Sequence, residues 1–444
     1  MSRLVVIGAD PGGMAAISAA RQYTPDLEVV AIERGRHTSY SACGIPYLVG
    51  GEVDDVAQLV ARSPAAHRAN DIDVRLRHEA LALDLDRRRV EIRDLDGART
   101  YRLDFDHLLL GTGGRPFRPD LPGIDQPFIR GVQTLDDAEE LVAQVEAIDC
   151  RHVVVVGGGY IGLEIAEAFL HRQAHVVLVE QAAQVMASLD PEMGALITAA
   201  MHRHGVEVHL DTAVTGFEPG KVLTADGAFD ADIVVLGIGV TPNSELADAA
   251  GIELGVRRSI RVDRRQRTSA EGVWAAGDCC ESRHLVSGEP VHVPLGTVAN
   301  RQSRVAGTNI GGGYATFPGV LGTAISKICD TEVARTGLTS LEAVRAGFVY
   351  DVTTIESTTR ARYYPGSDLM TTRFVVERGT GRLLGAQIVG GAGAAKRIDT
   401  CATAITAAMT VEQIAQLDLS YAPPFSGVWD PILVTARAAL KSVR

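Results

Sequence analysis

Two copies of one local pattern constrain the fold of this chain more than any other feature of its sequence. Each copy is an apolar run, a glycine-rich turn, a helical segment and a second apolar run that ends in a glutamate. The copies span residues 4–33 and 153–180. Continuous apolar runs are typical of parallel strands covered on both faces, and strand, turn, helix and strand form a βαβ unit. The pattern predicts an α/β fold with two Rossmann-like dinucleotide-binding domains.

The second copy carries a complete G-x-G-x-x-G motif in Gly157, Gly159 and Gly162. The first glycine allows a tight turn, the second lets the backbone approach a pyrophosphate, and the third lets helix and strand pack closely. The phosphates then lie at the helix N-terminus. Glu180 closes the next strand, where a carboxylate accepts a ribose 2′-hydroxyl and repels a 2′-phosphate. Since no arginine follows at residues 181–184, we predict NADH, with NADPH as the alternative.

The first copy is less regular. Gly8 and Gly13 hold the outer glycine positions, but Asp10 stands at the middle one. A carboxylate beside a pyrophosphate is unfavourable unless its side chain points away. Glu33 supplies the expected ribose acid, and its neighbour Arg34 is a further candidate for cofactor binding. We therefore predict a second dinucleotide site here; the alternative is a buried strand that ends in a solvated glutamate.

Two further stretches favour a flavin as the first dinucleotide. Residues 108–116 form a buried apolar run that leads into a glycine turn containing Thr112 and Gly113. Residues 272–278 form another apolar run, which ends in Gly277 and Asp278. At that position Asp278 is free to bind a ribityl hydroxyl, so the sequence predicts FAD.

Length, charge and cysteine content bound the remaining possibilities. A chain of 444 residues suits about three domains. The formal charge of −12, without a basic cluster on any predicted helix, argues against nucleic-acid and membrane partners. The six cysteines show no metal-ligand spacing, so we predict no metal. No apolar stretch is long enough to span a bilayer, and the N-terminus is typical of a first strand rather than a signal peptide. We expect a cytoplasmic protein.

Taken together, these motifs resemble the pyridine nucleotide-disulfide oxidoreductase family over nearly the whole chain. The likeness is greatest to its single-cysteine branch, which contains coenzyme A-disulfide reductases, persulfide reductases, NADH oxidases and NADH peroxidases. Besides the motifs above, the resemblance is carried by residues 39–47, 294–300 and 421–426. It implies an FAD domain (residues 1–115 and 240–315), an NAD(P)H domain (116–239), an α+β C-terminal dimerisation domain (316–444) and a homodimer.

The resemblance also assigns roles around the nicotinamide and the flavin. It implies that Tyr160 gates the nicotinamide pocket, that Glu164 lies beside the nicotinamide, and that Ala299 contributes to flavin binding. For Tyr160 and Glu164 the alternative is an ordinary first turn of a helix.

Cys43 decides the branch. In two-cysteine members a second cysteine follows five residues later, and here that position is Leu48. Cys43 must therefore hold oxidising equivalents as a mixed disulfide with a small thiol, a persulfide or a sulfenic acid. Gly44 and Pro46 suit a helix start, and a lowered thiol pKa is expected if Cys43 begins a helix near the flavin. The alternative is an inert, buried cysteine.

The resemblance places Tyr421, and one of Tyr363 and Tyr364, near Cys43 across the dimer interface. A phenol there could hydrogen-bond or protonate a leaving thiolate. We favour Tyr363 of the two neighbours; taken alone, either could equally be a packed aromatic side chain.

The main hypothesis is an oxidoreductase that passes electrons from NADH through FAD to Cys43 and reduces a small-molecule disulfide or persulfide, such as coenzyme A disulfide. Ser39, Arg21 and Arg62 are the candidate substrate contacts, in a pocket less basic than is common for coenzyme A. An NADH oxidase that uses a Cys43 sulfenic acid is the alternative, although the histidine usual in oxidases is missing beside Asp10. A redox-sensing or partner-binding flavoprotein is the alternative from another class.

Overall fold

The computed structural model describes residues 2–441 and contains two parallel sheets of five strands each. The first sheet combines strands that are far apart in sequence, because one of its two edge strands comes from the second half of the chain. Its spatial order is Val273–Ala275, His107–Leu110, Arg3–Ile7, Glu28–Glu33 and Ile72–Leu76. Val5, Val30 and Leu108 are paired across its centre and are buried, as expected for a sheet covered on both faces.

Two helices cross closely over this first sheet: Pro11–Arg21 and Gly296–Ile310. Gly307 makes the approach possible, since a Cβ atom there would lie 2.1 Å from the backbone oxygen of Ala16. An antiparallel sheet extends the same region, with strands His78–Asp84, Arg89–Asp94 and Arg99–Asp104. A turn at Asp96 and Gly97 joins the last two of these strands.

The second parallel sheet repeats the arrangement. Its order is Glu207–His209, His175–Val179, His152–Val156, Ile233–Leu236 and Ile129–Gly131. The helices that accompany it are Leu135–Ala147, Tyr160–His171 and Pro191–Arg203. A three-stranded antiparallel sheet, Val214–Glu218, Lys221–Thr224 and Gly227–Asp230, lies in the same half. The chain enters and leaves this half through an antiparallel pair, Gly114–Pro116 with Val240–Pro242.

The last part of the chain forms a five-stranded antiparallel sheet. Its order is Ala324–Ile328, Thr331–Gly337, Leu383–Gly390, Leu369–Glu377 and Tyr350–Thr358. Helices Ile398–Thr406, Val411–Ile414 and Pro431–Ala439 pack on it around a core that includes Phe374 and Ile388. A 3-10 turn at Ala395–Arg397 precedes the first of these helices.

Short elements complete the fold. They are Ala42–Gly44, Val56–Leu59 and Val256–Arg258 as 3-10 turns, Ile45–Gly50, Pro64–Arg68, Glu245–Ala249 and Ser340–Arg345 as helices, and Ser282–Arg283 with Pro290–Val291 as a two-stranded ladder. Among residues 2–441, none of the helices combines the length and apolar character needed to cross a membrane.

Candidate active site

The two glycine turns have closely similar backbone geometry. Gly8 and Gly157 have φ values of +103° and +100°, a conformation that favours glycine. A Cβ atom on Gly13 would lie 2.0 Å from the backbone oxygen of Gly8, and one on Gly162 would lie 2.0 Å from that of Gly157. These clashes explain why glycine is needed at each position. With glycine at these positions, each turn forms a backbone cradle at the N-terminus of a helix, of the kind that binds a pyrophosphate.

The acid at the end of the second strand closes each cradle. Glu33 accepts the backbone N–H groups of Ala9 (2.9 Å) and Gly35 (2.8 Å). Burial raises the pKa of Glu33, and the two N–H groups and the charge of Arg34 act against that rise. The carboxylate is thereby fixed beside the first glycine turn, where the ribose of a dinucleotide would reach it.

Glu180 makes the corresponding pair of bonds in the second cradle. It accepts the backbone N–H groups of Gly158 (2.7 Å) and Ala182 (2.8 Å). In both cradles the donors are the residue after the first glycine and the residue two positions after the acid. The internal repeat seen in the sequence therefore extends to the hydrogen bonds of the side chains.

The other predicted flavin residues lie around the first cradle. Gly277 (φ +88°) would bring a Cβ atom within 3.4 Å of Ala299, and its N–H donates to Gln302 (2.9 Å). Thr112 donates to the backbone oxygen of Asn243 (2.5 Å), and the Asn243 amide donates back to Thr112 (2.9 Å). Gln302 and Asn243 were missed by sequence reasoning because their role depends on partners far away in the chain.

Asp10 and Asp278 are both partly buried near this turn. Asp10 occupies the helix N-cap, yet its side chain turns toward the next loop and accepts the backbone N–H of Tyr40 (3.1 Å). Burial raises the pKa of Asp10 to about 8, with further contributions from Glu33 and Asp278. Burial also raises the pKa of Asp278 to about 6. The raised pKa favours the neutral form of Asp10, which lessens the conflict with a pyrophosphate expected from its sequence position.

Cys43 lies in the 3-10 turn Ala42–Gly44, directly before the helix Ile45–Gly50, and is accessible to solvent. The helix start suggested by Gly44 and Pro46 is therefore present. The prediction of a lowered thiol pKa is wrong for Cys43 in its protein surroundings. Partial burial, together with the negative charges of Glu164 and Asp278, raises the pKa of its thiol. Cys43 lies between the two dinucleotide cradles. The loop before it is hydrogen-bonded to the first glycine turn, where the backbone oxygen of Ala9 accepts the N–H of Ser39 (3.3 Å), and the helix after it packs against the helix Tyr160–His171 of the second cradle.

Glu164 and Tyr160 lie on the first turns of the helix Tyr160–His171. Glu164 accepts the hydroxyl of Ser326 (2.6 Å), and burial raises its pKa. The Tyr160 hydroxyl is buried near Ser188 and Arg335. Ser326 and Arg335 come from the C-terminal sheet, so that sheet contributes to the surroundings of the second cradle.

The structure brings two of the three candidate tyrosines together. Tyr363 and Tyr421 are 76% and 47% exposed, and a hydrogen bond between their hydroxyls raises the pKa of Tyr363. Tyr364 is partly buried instead, with its backbone in a turn to Ala361. An exposed pair of phenols has the geometry to act on a group outside this chain.

Ser39 and Arg62 meet at His67, a residue that sequence reasoning did not select. Ser39 is buried, has a φ of +53°, and its hydroxyl lies 2.9 Å from His67 Nε2. Burial lowers the pKa of His67, and the nearby charge of Arg62 lowers it further. The contact joins the start of the Cys43 loop to the helix Pro64–Arg68.

Arg21 has a different environment from the other two substrate candidates. Its guanidinium donates to the backbone oxygens of Asn70, Asp71 (2.8 Å) and Leu27 (3.3 Å). It must exchange these partners before it can bind a phosphate group of a substrate.

Comparison with known proteins places this geometry in a family. Residues 2–302 match the family described as pyridine nucleotide-disulphide oxidoreductase, and residues 323–431 match the dimerisation domain of the same name. The chain belongs to this family. The predicted family and the predicted α/β fold class are confirmed, and the C-terminal sheet is a dimerisation domain.

Relatives match nearly the whole of this chain over most or all of their own length. The chain is 34% identical to an NADH oxidase from Methanocaldococcus jannaschii, covering 99% of both chains. It is 36% identical to an NAD(P)H coenzyme A polysulfide/persulfide reductase from Pyrococcus horikoshii, covering 98% of both. The crystal structure of reduced CoADR-RHD from Bacillus anthracis superposes with a TM-score of 0.97 at 33% identity, over 100% of this chain and 81% of that one.

Proposed function

We propose that this chain is an FAD-dependent oxidoreductase that uses NADH to reduce a small-molecule disulfide or persulfide through Cys43. The observation that carries the proposal is the position of Cys43, an accessible thiol between the two cradles. The residue five positions later is Leu48, so the thiol has no neighbouring cysteine with which to close a local disulfide. A single thiol in that place acts on a second sulfur brought by a substrate.

The residues of the first cradle fit FAD. Gly8 and Gly13 leave room for a pyrophosphate, Glu33 lies where a ribose hydroxyl would reach, and Asp278 lies near Cys43. When bound there, FAD supplies the two-electron chemistry that links a nicotinamide to a thiol. The second cradle would hold the nicotinamide nucleotide, with Glu180 at its ribose.

Cys43 performs the sulfur chemistry. Its thiolate attacks one sulfur of the substrate disulfide, the first thiol leaves with the electron pair of the broken S–S bond, and a mixed disulfide remains on Cys43. Reduction of that bond by two electrons from NADH returns the Cys43 thiolate and releases the second thiol. Protons from solvent complete both thiols. Since the protein groups raise the pKa of Cys43, loss of its proton is a step that the bound partners must favour.

Tyr363 and Tyr421 are the groups we assign to the leaving thiolate. Both are exposed and hydrogen-bonded to each other on the dimerisation domain, so in a homodimer they are available to the partner's cysteine loop. We propose the homodimer, a cytoplasmic location, and a division into residues 1–115 with 240–315, 116–239 and 316–444. The ladder Gly114–Pro116 with Val240–Pro242 supports the first two boundaries.

The test is anaerobic NADH oxidation by the purified protein with and without coenzyme A disulfide. We expect oxidation that requires the disulfide and is lost in Cys43→Ser, while Cys401→Ser, a change at a buried thiol far from the cradles, retains it. Full disulfide reduction by Cys43→Ser would refute the proposal.

An NADH oxidase is the second candidate, because a 34% identical relative carries that name. It predicts that NADH is consumed only after oxygen is admitted, whatever disulfide is present. Pro11 stands where oxidases of this family usually carry a histidine, which favours disulfide reduction over this candidate.

A further inference from the structure

Asp10 is a residue whose surroundings do not match its position in the motif. It is the N-cap of the first cradle helix, with φ −94° and ψ −176°, and Gly159 is the N-cap of the second, with φ −79° and ψ −176°. The two backbones are alike, so Asp10 stands where a glycine lets the chain approach a pyrophosphate. An acid at this position needs a reason that the second cradle does not share.

The reason lies in the loop that carries Cys43. Asp10 accepts the N–H of Tyr40 (3.1 Å), while the backbone oxygen of Ala9 accepts the N–H of Ser39 (3.3 Å) and the hydroxyl of Thr38. Three consecutive residues of the loop are therefore bonded to the flavin turn, and Asp10 supplies the bond nearest to Cys43. A neutral carboxyl still makes this bond, because its carbonyl oxygen remains an acceptor, although an ionised carboxylate accepts it more strongly.

The charges around Asp10 oppose its ionisation. Glu33 faces it from the second strand, Asp278 faces it from the loop after Val273–Ala275, and the Tyr40 phenol, whose own pKa is raised, lies beside it. Among residues 2–441, the groups that favour the Asp10 carboxylate reduce to the Tyr40 N–H. Burial and the two acids together raise the pKa of Asp10 to about 8. A diphosphate in the cradle would add further negative charge.

We propose that Asp10 is a pH-sensitive positioning residue, which as a neutral acid joins the flavin turn to the Cys43 loop and as an anion weakens the binding of FAD. The inference rests on the proposed function, because it requires FAD in the first cradle. It identifies an acidic proton as a component of the flavin site, and it couples retention of the flavin to the ambient pH.

The sign of the effect follows from linkage. If bound FAD raises the pKa of Asp10, binding takes up a proton above pH 8 and affinity falls as the pH rises. Glu33 and Asp278 also titrate, but neither is removed by a change at Asp10, so the Asp10→Asn variant isolates the contribution of one carboxyl. Asn retains a side-chain acceptor for the Tyr40 N–H and has no titratable proton.

The experiment is the dissociation constant of FAD from the full-length holoprotein, followed by the fluorescence of released flavin. We expect wild-type affinity to be about tenfold weaker at roughly pH 9.5 than at roughly pH 6.5. Asp10→Asn should flatten this dependence, and Asp10→Ser, a second non-titrating variant with an acceptor, should do the same if Asn folds poorly. Asp26→Asn, at an exposed acid near the end of the first helix, should keep the wild-type curve.

The outcomes separate the two proposals. Equal affinity of the wild-type protein across this range, or an unchanged pH dependence in both Asp10 variants, would overturn the role of Asp10 while leaving the reductase intact. Failure of the wild-type protein to bind FAD at any pH would overturn the proposed function itself.

Discussion

Glu180 is the residue at which the nicotinamide preference can be changed. Its carboxylate accepts hydrogen bonds from the backbone N–H groups of Gly158 and Ala182, at 2.7 and 2.8 Å. In the proposed function it lies where the ribose of NADH would bind. Glu180→Ala removes a negative charge and at the same time frees two backbone donors. A 2′-phosphate is an acceptor for both, so the change should favour NADPH and disfavour NADH.

The size of the change can be worked from these contacts. Two unit charges ~5 Å apart at an effective dielectric of ~20 repel by about 3 kcal/mol, and partial exposure of Glu180 reduces this to about half. A lost hydrogen bond from the ribose hydroxyl to a charged acceptor costs NADH about 1.5 kcal/mol. The two effects change the ratio of kcat/KM for NADPH over NADH by about 100-fold. Adding Gln181→Arg should increase it by about another fivefold.

The assay is the initial rate with each nucleotide at a saturating acceptor concentration, for wild type, Glu180→Ala and Glu180→Ala/Gln181→Arg. The ratio cancels any loss of folded or flavin-loaded protein, because both nucleotides meet the same preparation. Glu207→Ala changes an acid on the adjacent strand of the same sheet and should leave the ratio unaltered. A ratio in Glu180→Ala within about threefold of wild type would refute the electrostatic reasoning.

Two further predictions concern the C-terminal domain. Asp190 is 2% exposed and accepts Arg373 Nε at 2.6 Å; burial opposes its charge, but its hydrogen-bond partners lower its pKa. The lowered pKa means that ionised Asp190 stabilises the fold above its unfolded-state pKa and loses this effect in acid. Asp190→Asn should therefore cost about 3 kcal/mol of unfolding free energy at neutral pH and less below pH ~3, measured by thermal unfolding. Asp149→Asn, in an exposed ion pair, should change little, and equal effects of the two variants would contradict this. Tyr421→Phe should lower turnover with a disulfide by about 10- to 100-fold, and Tyr363→Phe should lower it by a smaller factor. Neither change should slow the reduction of the flavin by NADH, measured by stopped flow. A slower flavin reduction would reject the role of these tyrosines at the leaving thiolate.

The parts of the fold that the sequence predicts are those fixed by local sterics. Gly13 and Gly162 have no alternative, because a Cβ atom would lie 2.0 Å from a backbone oxygen of their own turn. A motif of that kind can be recognised from the sequence alone, and so can the glutamate at the end of the next strand. The antiparallel sheet at the C-terminus has no such constraint, so the sequence indicated an α+β domain there without its strand order.

The parts that the sequence does not predict depend on charges brought together from distant segments. A helix start near Cys43 suggested a lowered thiol pKa, but partial burial raises that pKa, and the charges of Glu164 and Asp278, more than 100 residues away in the sequence, raise it further. His67 was passed over for the same reason. Nothing in its neighbourhood marks it, and its contact with Ser39 exists only because the Cys43 loop crosses the helix Pro64–Arg68.

The charges around Cys43 also bear on the substrate. Arg21 is bonded to backbone oxygens, and burial together with the charge of Arg62 lowers the pKa of His67, so neither residue offers a readily available positive charge at neutral pH. On the other side of Cys43, Glu164 contributes negative charge. Electrostatic attraction therefore supplies little of the binding energy for a polyanionic disulfide, and shape and sulfur chemistry must supply the rest.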